Sequence, residues 1–98
     1  VLYTLGEITI GANSVVSQKC YLCTGSHDFM SQHFDITASP IVIGEKCWLA
    51  TDVFVAPGVS VGDGTVVGAR SSVFKSLPAN KICRGNPAVV IRERVETD

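Results

Sequence analysis

Long apolar runs are missing from this 98-residue sequence, although 46% of its residues are hydrophobic. No stretch approaches the roughly 18 consecutive apolar residues that a membrane-spanning helix needs. The first residues show neither the basic segment nor the apolar segment of a signal peptide. The chain is nevertheless too apolar to remain disordered. We therefore expect a single folded domain over residues 1–98, with no membrane insertion.

Clustered positive charge is also absent, because 8 basic residues are balanced by 9 acidic ones for a net charge of −1. Nucleic-acid binding depends on clustered Lys and Arg that neutralise phosphates, so nucleic acid is not an expected partner. Methionine occurs once and glycine nine times, and small and β-branched residues dominate. This composition is typical of strands and tight turns rather than of a helical bundle.

The cysteines admit more than one interpretation. They are Cys20, Cys23, Cys47 and Cys83. In a small exported protein they would form a disulfide framework, but this chain is apolar enough to form a core without one. Cys20 and Cys23 have the CxxC spacing of zinc sites, yet no second pair completes such a site. We expect reduced, buried thiols in a cytoplasmic protein, and no metal.

A six-residue repeat begins at Ile10 and continues to residue 78 with one interruption. Each hexapeptide opens with an aliphatic residue, and most have a small residue second and a small or β-branched residue fifth. The opening residues are Ile10, Val16, Leu22, Ile43, Leu49, Val55, Val61, Val67 and Val73. On an α-helix six residues turn through about 600°, which would scatter the opening residues around the surface. A coil with three short flat sides and about 18 residues per turn points all of them inward. The fifth residue then points inward near a corner, and the small second residue fits where the backbone turns tightly. The sequence therefore predicts an all-β, parallel β-helix.

The repeat breaks once, between Leu22 and Ile43. Residues 28–40 have no hexapeptide pattern, and we expect them to leave the coil as an extruded loop. Such a loop is either a mobile surface segment or a cover over a site or a neighbouring subunit. After Val73 the repeat fades into two turns and one short strand. For the tail at 85–98 we predict a short C-terminal helix from Ala88, with Pro87 near its first turn.

Four segments together resemble the hexapeptide-repeat acyltransferases, and among them the sugar O-acetyltransferases of the galactoside, maltose and nodulation type. The segments are TGSH at 24–27, IVIGEKCWLA at 41–50, VAPGVSVG at 55–62 and GNPA at 85–88. They follow the family's order and extend over nearly the whole chain. The sequence around them is most similar to the colanic acid biosynthesis acetyltransferases of bacterial exopolysaccharide clusters. The resemblance implies a left-handed β-helix that forms a homotrimer, with its site between neighbouring subunits.

The resemblance also implies acetyl transfer from acetyl-CoA directly to a hydroxyl of a sugar or exopolysaccharide precursor. The thioester is already activated, so the acceptor hydroxyl requires only a base with a pKa near 7, for which histidine is best suited. His27 stands where the family keeps its catalytic histidine, whereas without the resemblance it would be interpreted as a surface side chain. His33 lies within the expected loop without such support. Asp28 is a minor candidate for orienting the imidazole ring.

An oxyanion site is implied at residues 50–51. Ala50 and Thr51 match the stretch in which the family binds the oxyanion through a backbone N–H. This sequence has Ala and Thr where relatives often have Gly and Ser, and both residues still provide a backbone N–H. Trp48 is either a pocket residue or a packing residue at a corner of the coil.

Contacts to coenzyme A are implied at Ala69, Ser71, Lys75 and Arg92. The first two match the family's contact coils, which need small side chains beside the pantetheine arm. The last two match basic residues that bind the phosphates, although both also fit a solvated surface role. Arg70 replaces a usual glycine and Val89 stands where some relatives keep arginine, so the phosphate contacts depart from the family pattern.

Other β-helical proteins fit the sequence less well. A gamma-type carbonic anhydrase needs three histidines per zinc, and this chain has two histidines in all. An ice-binding β-helix would show a regular threonine ladder, which is absent.

Family members usually carry a substantial segment ahead of these coils, so this sequence is expected to be a truncated chain, a short gene product or a processed fragment. An open apolar end is expected at the first coil, partly closed by Tyr3 and Leu5. The alternative function is a non-catalytic β-helical trimerisation module without an acceptor site.

Overall fold

The structure, a computed structural model, describes residues 2–3, 6–27 and 36–95, and only the backbone of residues 2–3, 26–27 and 36–38. These residues form short strands and no helix, so the all-β prediction is confirmed. The strands are β1 (Leu2–Tyr3), β2 (Ile8–Ile10), β3 (Val15–Val16), β4 (Tyr21–Cys23), β5 (Gly25–His27), β6 (Ile36–Ala38), β7 (Ile41–Ile43), β8 (Trp48–Leu49), β9 (Phe54–Val55), β10 (Ser60–Val61), β11 (Val66–Val67), β12 (Ser72–Val73), β13 (Lys81–Gly85) and β14 (Ala88–Glu93). In the described ranges there is no helix long and apolar enough to cross a membrane.

Three parallel sheets form the sides of a coiled prism. Face 1 holds β2, β7 and β10, face 2 holds β3, β8, β11 and β13 with β14 at its edge, and face 3 holds β1, β4, β9 and β12. The chain passes from face 1 to face 2 to face 3 and then begins the next coil. Leu49 stands opposite Val67, eighteen residues further on. The predicted turn of about 18 residues is therefore confirmed.

The opening residues of the hexapeptides form the core of this prism. Seven of them, Leu22, Ile43, Leu49, Val55, Val61, Val67 and Val73, are at most 2% exposed. Complete burial of one such side chain stabilises the fold by roughly 1.5–3 kcal/mol. Ile10 is in register with Ile43 but is 43% exposed, because β2 is the outermost strand of face 1 among the described residues. Leu5 and the side chain of Tyr3 lie outside the described residues.

The fifth residue of the hexapeptide is buried beside a corner of the prism, as predicted. The buried fifth residues are Cys20, Cys47, Val53, Val59, Thr65 and Ser71. Their polar groups bond to the main chain of the next coil. The Cys47 thiol donates to the Gly62 carbonyl at 3.1 Å, and the Thr65 hydroxyl donates to the Pro78 carbonyl at 2.6 Å. Small polar residues thus satisfy carbonyl groups that the short strands leave unpaired at the corners.

Glycine occupies the second position for a reason other than the tight turn that the pattern predicts. Gly11, Gly44 and Gly62 occupy this position in successive coils, at the corner between faces 1 and 2. A Cβ on Gly11 would lie 2.6 Å from the Gly44 carbonyl carbon, and one on Gly62 would lie 2.5 Å from the Ala79 nitrogen. The glycines are required because the backbones of stacked coils approach each other here.

The turns are made by the fourth position, which the sequence analysis did not identify. Its backbone is left-handed, with φ between 56° and 79°. The residues are Asn13, Lys19, Lys46, Asp52, Gly58, Gly64 and Arg70, and Asn80 has the same conformation after the repeat has faded. Non-glycine residues rarely adopt this region outside turns. The backbone therefore turns from one face to the next at the fourth position, while glycine at the second position allows the coils to stack closely.

The inserted segment leaves the prism as a ribbon. Strand β6 pairs antiparallel with β5, so that His27 stands opposite Ile36. Part of the expected loop at 28–40 is therefore regular strand at residues 36–38. Residues 28–35, which include Asp28 and His33, lie outside the described residues.

The prediction of a C-terminal helix was wrong. Ala88–Glu93 form strand β14, which pairs antiparallel with β13. The run of Val89, Val90 and Ile91 favours strand over helix, because β-branched side chains lose less freedom on a pleated surface. A turn after Gly85 returns the chain to the open edge of face 2.

Candidate functional site

The scaffold holds the start of the ribbon that carries His27 at a defined position. Thr24 is fully buried at the end of face 3. Its hydroxyl accepts a hydrogen bond from the Gly6 amide at 2.9 Å, and its carbonyl accepts one from the Ser39 amide at 2.9 Å. These two bonds fix the ends of the inserted segment, at Thr24 and Ser39, on the prism. Thr24 lies three residues before His27. The backbone of His27 continues from this anchored base in β5.

The two residues proposed for the oxyanion site differ in the availability of their amides. Ala50 and Thr51 follow β8 at the corner between faces 2 and 3. The Ala50 amide donates to the Val67 carbonyl of the next coil at 3.0 Å. The amide of Thr51 has no such partner among the described residues, and Thr51 is exposed. Its hydroxyl donates to the Gln18 carbonyl at 2.9 Å, which holds the turn in place. Within this pair, Thr51 is the residue that can donate an N–H to an incoming oxyanion.

Trp48 lies on the outer surface of face 2 rather than at a corner. Its side chain is 52% exposed, and its indole N–H donates to the Ser17 hydroxyl at 3.2 Å. Val15, in register with Trp48 on β3, is also exposed. The indole therefore stands on an apolar part of face 2, orientated by a serine that the sequence analysis did not identify. The pairing of Ser17 with Trp48 joins residues 31 positions apart and has no local sequence signal.

The residues proposed to contact coenzyme A lie at different parts of the prism. Ala69 is exposed at the same corner as Thr51, one coil further along, and the Arg70 amide donates to the Thr51 carbonyl at 3.0 Å. Ser71 is buried, and its hydroxyl accepts a hydrogen bond from the Gly85 amide at 3.0 Å. The Ser71 side chain thus supports the next coil.

The two basic residues of the same proposal are separated from this corner. Lys75 is exposed and follows β12, on the far side of face 3. Arg92 is exposed on β14, opposite Ile82 near the start of β13. A third basic residue, Arg84, was not identified from the sequence although it lies at the end of β13 beside the corner that holds Thr51 and Ala69. Its position beside this corner depends on how the coils stack, and the repeat pattern does not predict it.

The cysteines have the structural role that was predicted. Among the described residues none of the four forms a disulfide; Cys20, Cys47 and Cys83 are buried and Cys23 is partly buried. Burial raises the pKa of the Cys83 thiol and outweighs the opposing effect of the Lys81 charge. A thiol with a raised pKa stays protonated near neutral pH and is a poor nucleophile. Over the part of the chain that the structure describes, no group of three or more His, Cys, Asp or Glu residues is placed to hold a metal ion.

Comparison with known proteins identifies the same repeat. The family described as "Bacterial transferase hexapeptide (six repeats)" matches residues 40–75. The chain is 87% identical over 97 residues to an Escherichia coli (strain K12) protein named "Putative colanic acid biosynthesis acetyltransferase WcaF". That match covers 99% of this chain and 53% of the relative. The chain thus spans about half the length of this curated relative.

Two solved structures share the fold and contain the coenzyme. The hexapeptide-repeat acetyltransferase VCA0836 of Vibrio cholerae O1 biovar eltor, complexed with acetyl coenzyme A, matches with a TM-score of 0.90 and 28% identity. This match covers 97% of this chain and 54% of that one. A galactoside acetyltransferase in complex with coenzyme A matches with a TM-score of 0.88 and 29% identity, over 98% of this chain and 56% of the other.

Proposed function

We propose that this chain belongs to the hexapeptide-repeat acetyltransferases and forms the β-helical part of an enzyme that transfers an acetyl group from acetyl-CoA to a hydroxyl of a sugar or exopolysaccharide precursor. The observation that carries the proposal is its 87% identity, over 97 residues, to a relative named for acetyl transfer in colanic acid biosynthesis. The similar folds that contain acetyl-CoA or coenzyme A support the choice of donor.

The arrangement within one chain supports a site shared between copies. The ribbon with His27 leaves the prism where face 3 ends, whereas Thr51 lies at the corner where face 3 begins. One face of the prism therefore separates the proposed base from the proposed oxyanion donor. We propose a left-handed β-helix that forms a homotrimer, in which His27 of one copy meets Thr51 of its neighbour. Exposed apolar side chains such as Val42 and Val15 are suited to burial between copies.

In the proposed mechanism His27 is the general base. Its imidazole takes the proton of the acceptor hydroxyl while the hydroxyl oxygen attacks the thioester carbonyl carbon. The carbonyl oxygen becomes an oxyanion and accepts a hydrogen bond from the Thr51 amide, a type of contact that is worth about 3 kcal/mol in other enzymes. Collapse of the tetrahedral species breaks the carbon–sulfur bond, and the leaving thiolate takes the proton from His27. The products are the acetyl ester and coenzyme A with a free thiol.

The proposed position of the coenzyme is the corner between faces 2 and 3. Thr51 and Ala69 are exposed there in successive coils, with small side chains that leave the backbone accessible. Trp48 stands on the adjoining face and presents an apolar surface. An amide-rich pantetheine arm requires such a combination of accessible backbone groups and apolar surface.

A non-catalytic trimerisation module is the alternative function. It is favoured by one observation, namely that exposed apolar side chains such as Val15 and Val42 suit burial between copies whether or not the chain is catalytic. A module without catalysis has no need for a coenzyme groove. Stabilisation of the chain against heat by coenzyme A would therefore exclude a purely architectural role.

The proposed activity is tested by following free thiol release from acetyl-CoA with a panel of sugars and nucleotide sugars. We expect turnover on at least one acceptor, and a loss of 10²-fold or more in His27→Ala. His33→Ala is the matched control, since it removes the other histidine, and its turnover should stay within about twofold of wild type. Equal turnover in wild type and His27→Ala would refute the assignment of the base. A silent panel with coenzyme A still bound would favour a groove that lacks its acceptor half.

A further inference from the structure

The peptide between Ala50 and Thr51, which carries the proposed oxyanion donor, is held by both neighbouring coils. In the next coil, the Val67 carbonyl accepts from the Ala50 amide at 3.0 Å, and the Arg70 amide donates to the Thr51 carbonyl at 3.0 Å. In the preceding coil, the Gln18 carbonyl accepts from the Thr51 hydroxyl at 2.9 Å. These bonds fix both residues and leave the Thr51 N–H without a partner among the described residues.

The carbonyl of the same peptide is bonded from the interior of the prism by a cysteine. The Cys20 thiol, 2% exposed, donates to the Ala50 carbonyl at 3.0 Å. The bond between Ala50 and Thr51 is trans. A planar trans peptide points its carbonyl and its N–H in opposite directions. Because a buried thiol holds the carbonyl, the Thr51 N–H points away from the interior, where an incoming oxygen can reach it.

An equivalent peptide at the corner between faces 1 and 2 shows what such an outward N–H binds. There the Ser14 hydroxyl donates to the Gly44 carbonyl at 2.6 Å, in the place that the thiol takes at the candidate site. The N–H of that peptide belongs to Glu45 and donates to a carboxylate oxygen of Asp63, in the next coil, at 2.8 Å. A negatively charged oxygen thus accepts the outward N–H of this peptide.

At the candidate site the residue equivalent to Asp63 is Ala69. It follows Thr51 by eighteen residues, as Asp63 follows Glu45. The Ala69 methyl group has no oxygen that could accept the Thr51 N–H. The candidate site therefore has the inward bond of the equivalent peptide but not the carboxylate that satisfies its outward N–H. An oxyanion formed from the thioester can take the position of that carboxylate.

We propose that Cys20 is a positioning residue for acetyl transfer, because its thiol fixes and polarises the peptide that donates the Thr51 N–H to the oxyanion. The inference rests on the proposed function. A hydrogen bond to a peptide carbonyl draws electron density from the nitrogen and strengthens the N–H as a donor, by about 10–30% per bond. This gain counts most in the transition state, where the thioester oxygen becomes charged. Cys20 acts through the peptide and is not itself a catalytic residue.

The kinetic test compares three replacements of Cys20, with release of free thiol from acetyl-CoA as the assay. Cys20→Ala removes the donor, and Cys20→Val removes it while filling the space, as Val53 and Val59 do at the same hexapeptide position. Both should lower kcat about 3- to 10-fold and leave the KM for acetyl-CoA within about twofold of wild type. Loss of a whole oxyanion donor would cost more, roughly 10²- to 10³-fold. Cys20→Ser keeps a donor, since a hydroxyl donates better than a thiol, and its kcat should stay within about twofold of wild type.

Cys47→Ala is the matched control for a general loss of stability. Cys47 is buried at the same hexapeptide position, and its thiol donates to the Gly62 carbonyl at 3.1 Å. That bond lies at the corner between faces 1 and 2, away from Thr51. Cys47→Ala should lower Tm about as much as Cys20→Ala does, because both remove the same kind of bond between coils. Its kcat should nevertheless stay within about twofold of wild type.

The nitrogen of Thr51 reports the proposed bond without any turnover. A hydrogen bond to a peptide carbonyl deshields the nitrogen of that peptide. The Thr51 nitrogen resonance of the free protein should therefore move upfield in Cys20→Ala and Cys20→Val, and return in Cys20→Ser. Labelling with ¹⁵N-threonine isolates the signal, and Thr51→Ser assigns it by its loss.

The outcomes separate this inference from the proposed function. Wild-type kcat in both Cys20→Ala and Cys20→Val would overturn the inference and leave the proposed function intact. An equal loss of kcat in Cys47→Ala would do the same, as would a Thr51 nitrogen resonance that does not respond to the Cys20 variants. A wild-type chain that releases no thiol with any acceptor would overturn the proposed function, and the positioning role of Cys20 with it.

Discussion

The backbones of stacked coils come close together at the corner between faces 1 and 2, which allows a quantitative prediction for Gly62→Ala. A Cβ at Gly62 would lie 2.5 Å from the Ala79 nitrogen, 2.7 Å from the Ala79 Cα and 2.8 Å from the Pro78 carbonyl carbon. All three are backbone atoms, so no side-chain rotation can relieve the contact. The last coil must move away, and that movement stretches the hydrogen bond from the Gly62 amide to the Leu77 carbonyl, now 2.9 Å.

The expected cost of Gly62→Ala follows from two opposing effects. Overpacking of a closely packed interior costs about 1–3 kcal/mol. Replacing glycine by alanine restricts the unfolded chain and returns roughly 0.4–1 kcal/mol where the native conformation tolerates it. We expect a net loss of about 1–2 kcal/mol in the free energy of unfolding. For a domain of this size that loss lowers Tm by about 4–16 °C.

Urea unfolding and thermal melts followed by circular dichroism, at one fixed protein concentration, measure this cost for Gly62→Ala. Gly68→Ala is the matched control, because it occupies the same hexapeptide position and its Cβ would meet the Arg84 Cβ at 3.1 Å. A contact with a side chain at that distance needs only a small shift, so the control should lose less than about 1 kcal/mol. Equal stability of the two variants, or a Gly62→Ala protein as stable as wild type, would refute the argument that backbone contact requires glycine here.

Two further predictions concern the C-terminal hairpin. The Arg94 guanidinium donates to the Lys46 carbonyl at 2.9 Å and the Gly64 carbonyl at 3.0 Å, so Arg94→Ala should lower the free energy of unfolding by about 1–2 kcal/mol and increase hydrogen exchange in β14 before the other strands. Unchanged exchange in β14 would contradict this role for Arg94. The Lys81 ammonium lowers the pKa of the Glu93 carboxyl, through a hydrogen bond and through its charge. The stabilisation is thus fully present above the ordinary glutamate pKa of about 4.5 and is lost as the pH falls through the lowered folded-state pKa. Melts of wild type and Glu93→Gln across pH should therefore differ slightly near neutrality and converge in acid, whereas a pH-independent difference would show that the ion pair is not its source.

Much of the candidate site was predictable because its elements are local in sequence. His27 stands in a short segment next to the break in the repeat, and Thr51 follows a recognisable hexapeptide. The choice between the amides of Ala50 and Thr51 was not predictable, because it depends on a carbonyl of the next coil. Arg84 was missed for the same reason, since its neighbours at the corner lie fourteen or more residues away in sequence.

The C-terminal segment shows the limit of local pattern most directly. The run from Ala88 contains charged residues that suit a helix and β-branched residues that suit a strand. The β-branched residues favour a strand, but this local preference is weak and depends on the surroundings. The open edge of face 2 decided it, because β13 offers β14 a row of backbone partners that a separate helix could not use.

By itself the sequence determined which residues face inward, the length of each coil and the place where the coil is interrupted, because a six-residue period assigns every side chain to a side of a three-faced prism. Only the tertiary structure decided the contacts between coils: why glycine must stand at one corner, which amide remains free, and which arginines share a corner. Those contacts join residues about 14 to 18 positions apart, or about 33 across the inserted segment. Stacking creates them, and no shorter stretch of sequence contains both partners.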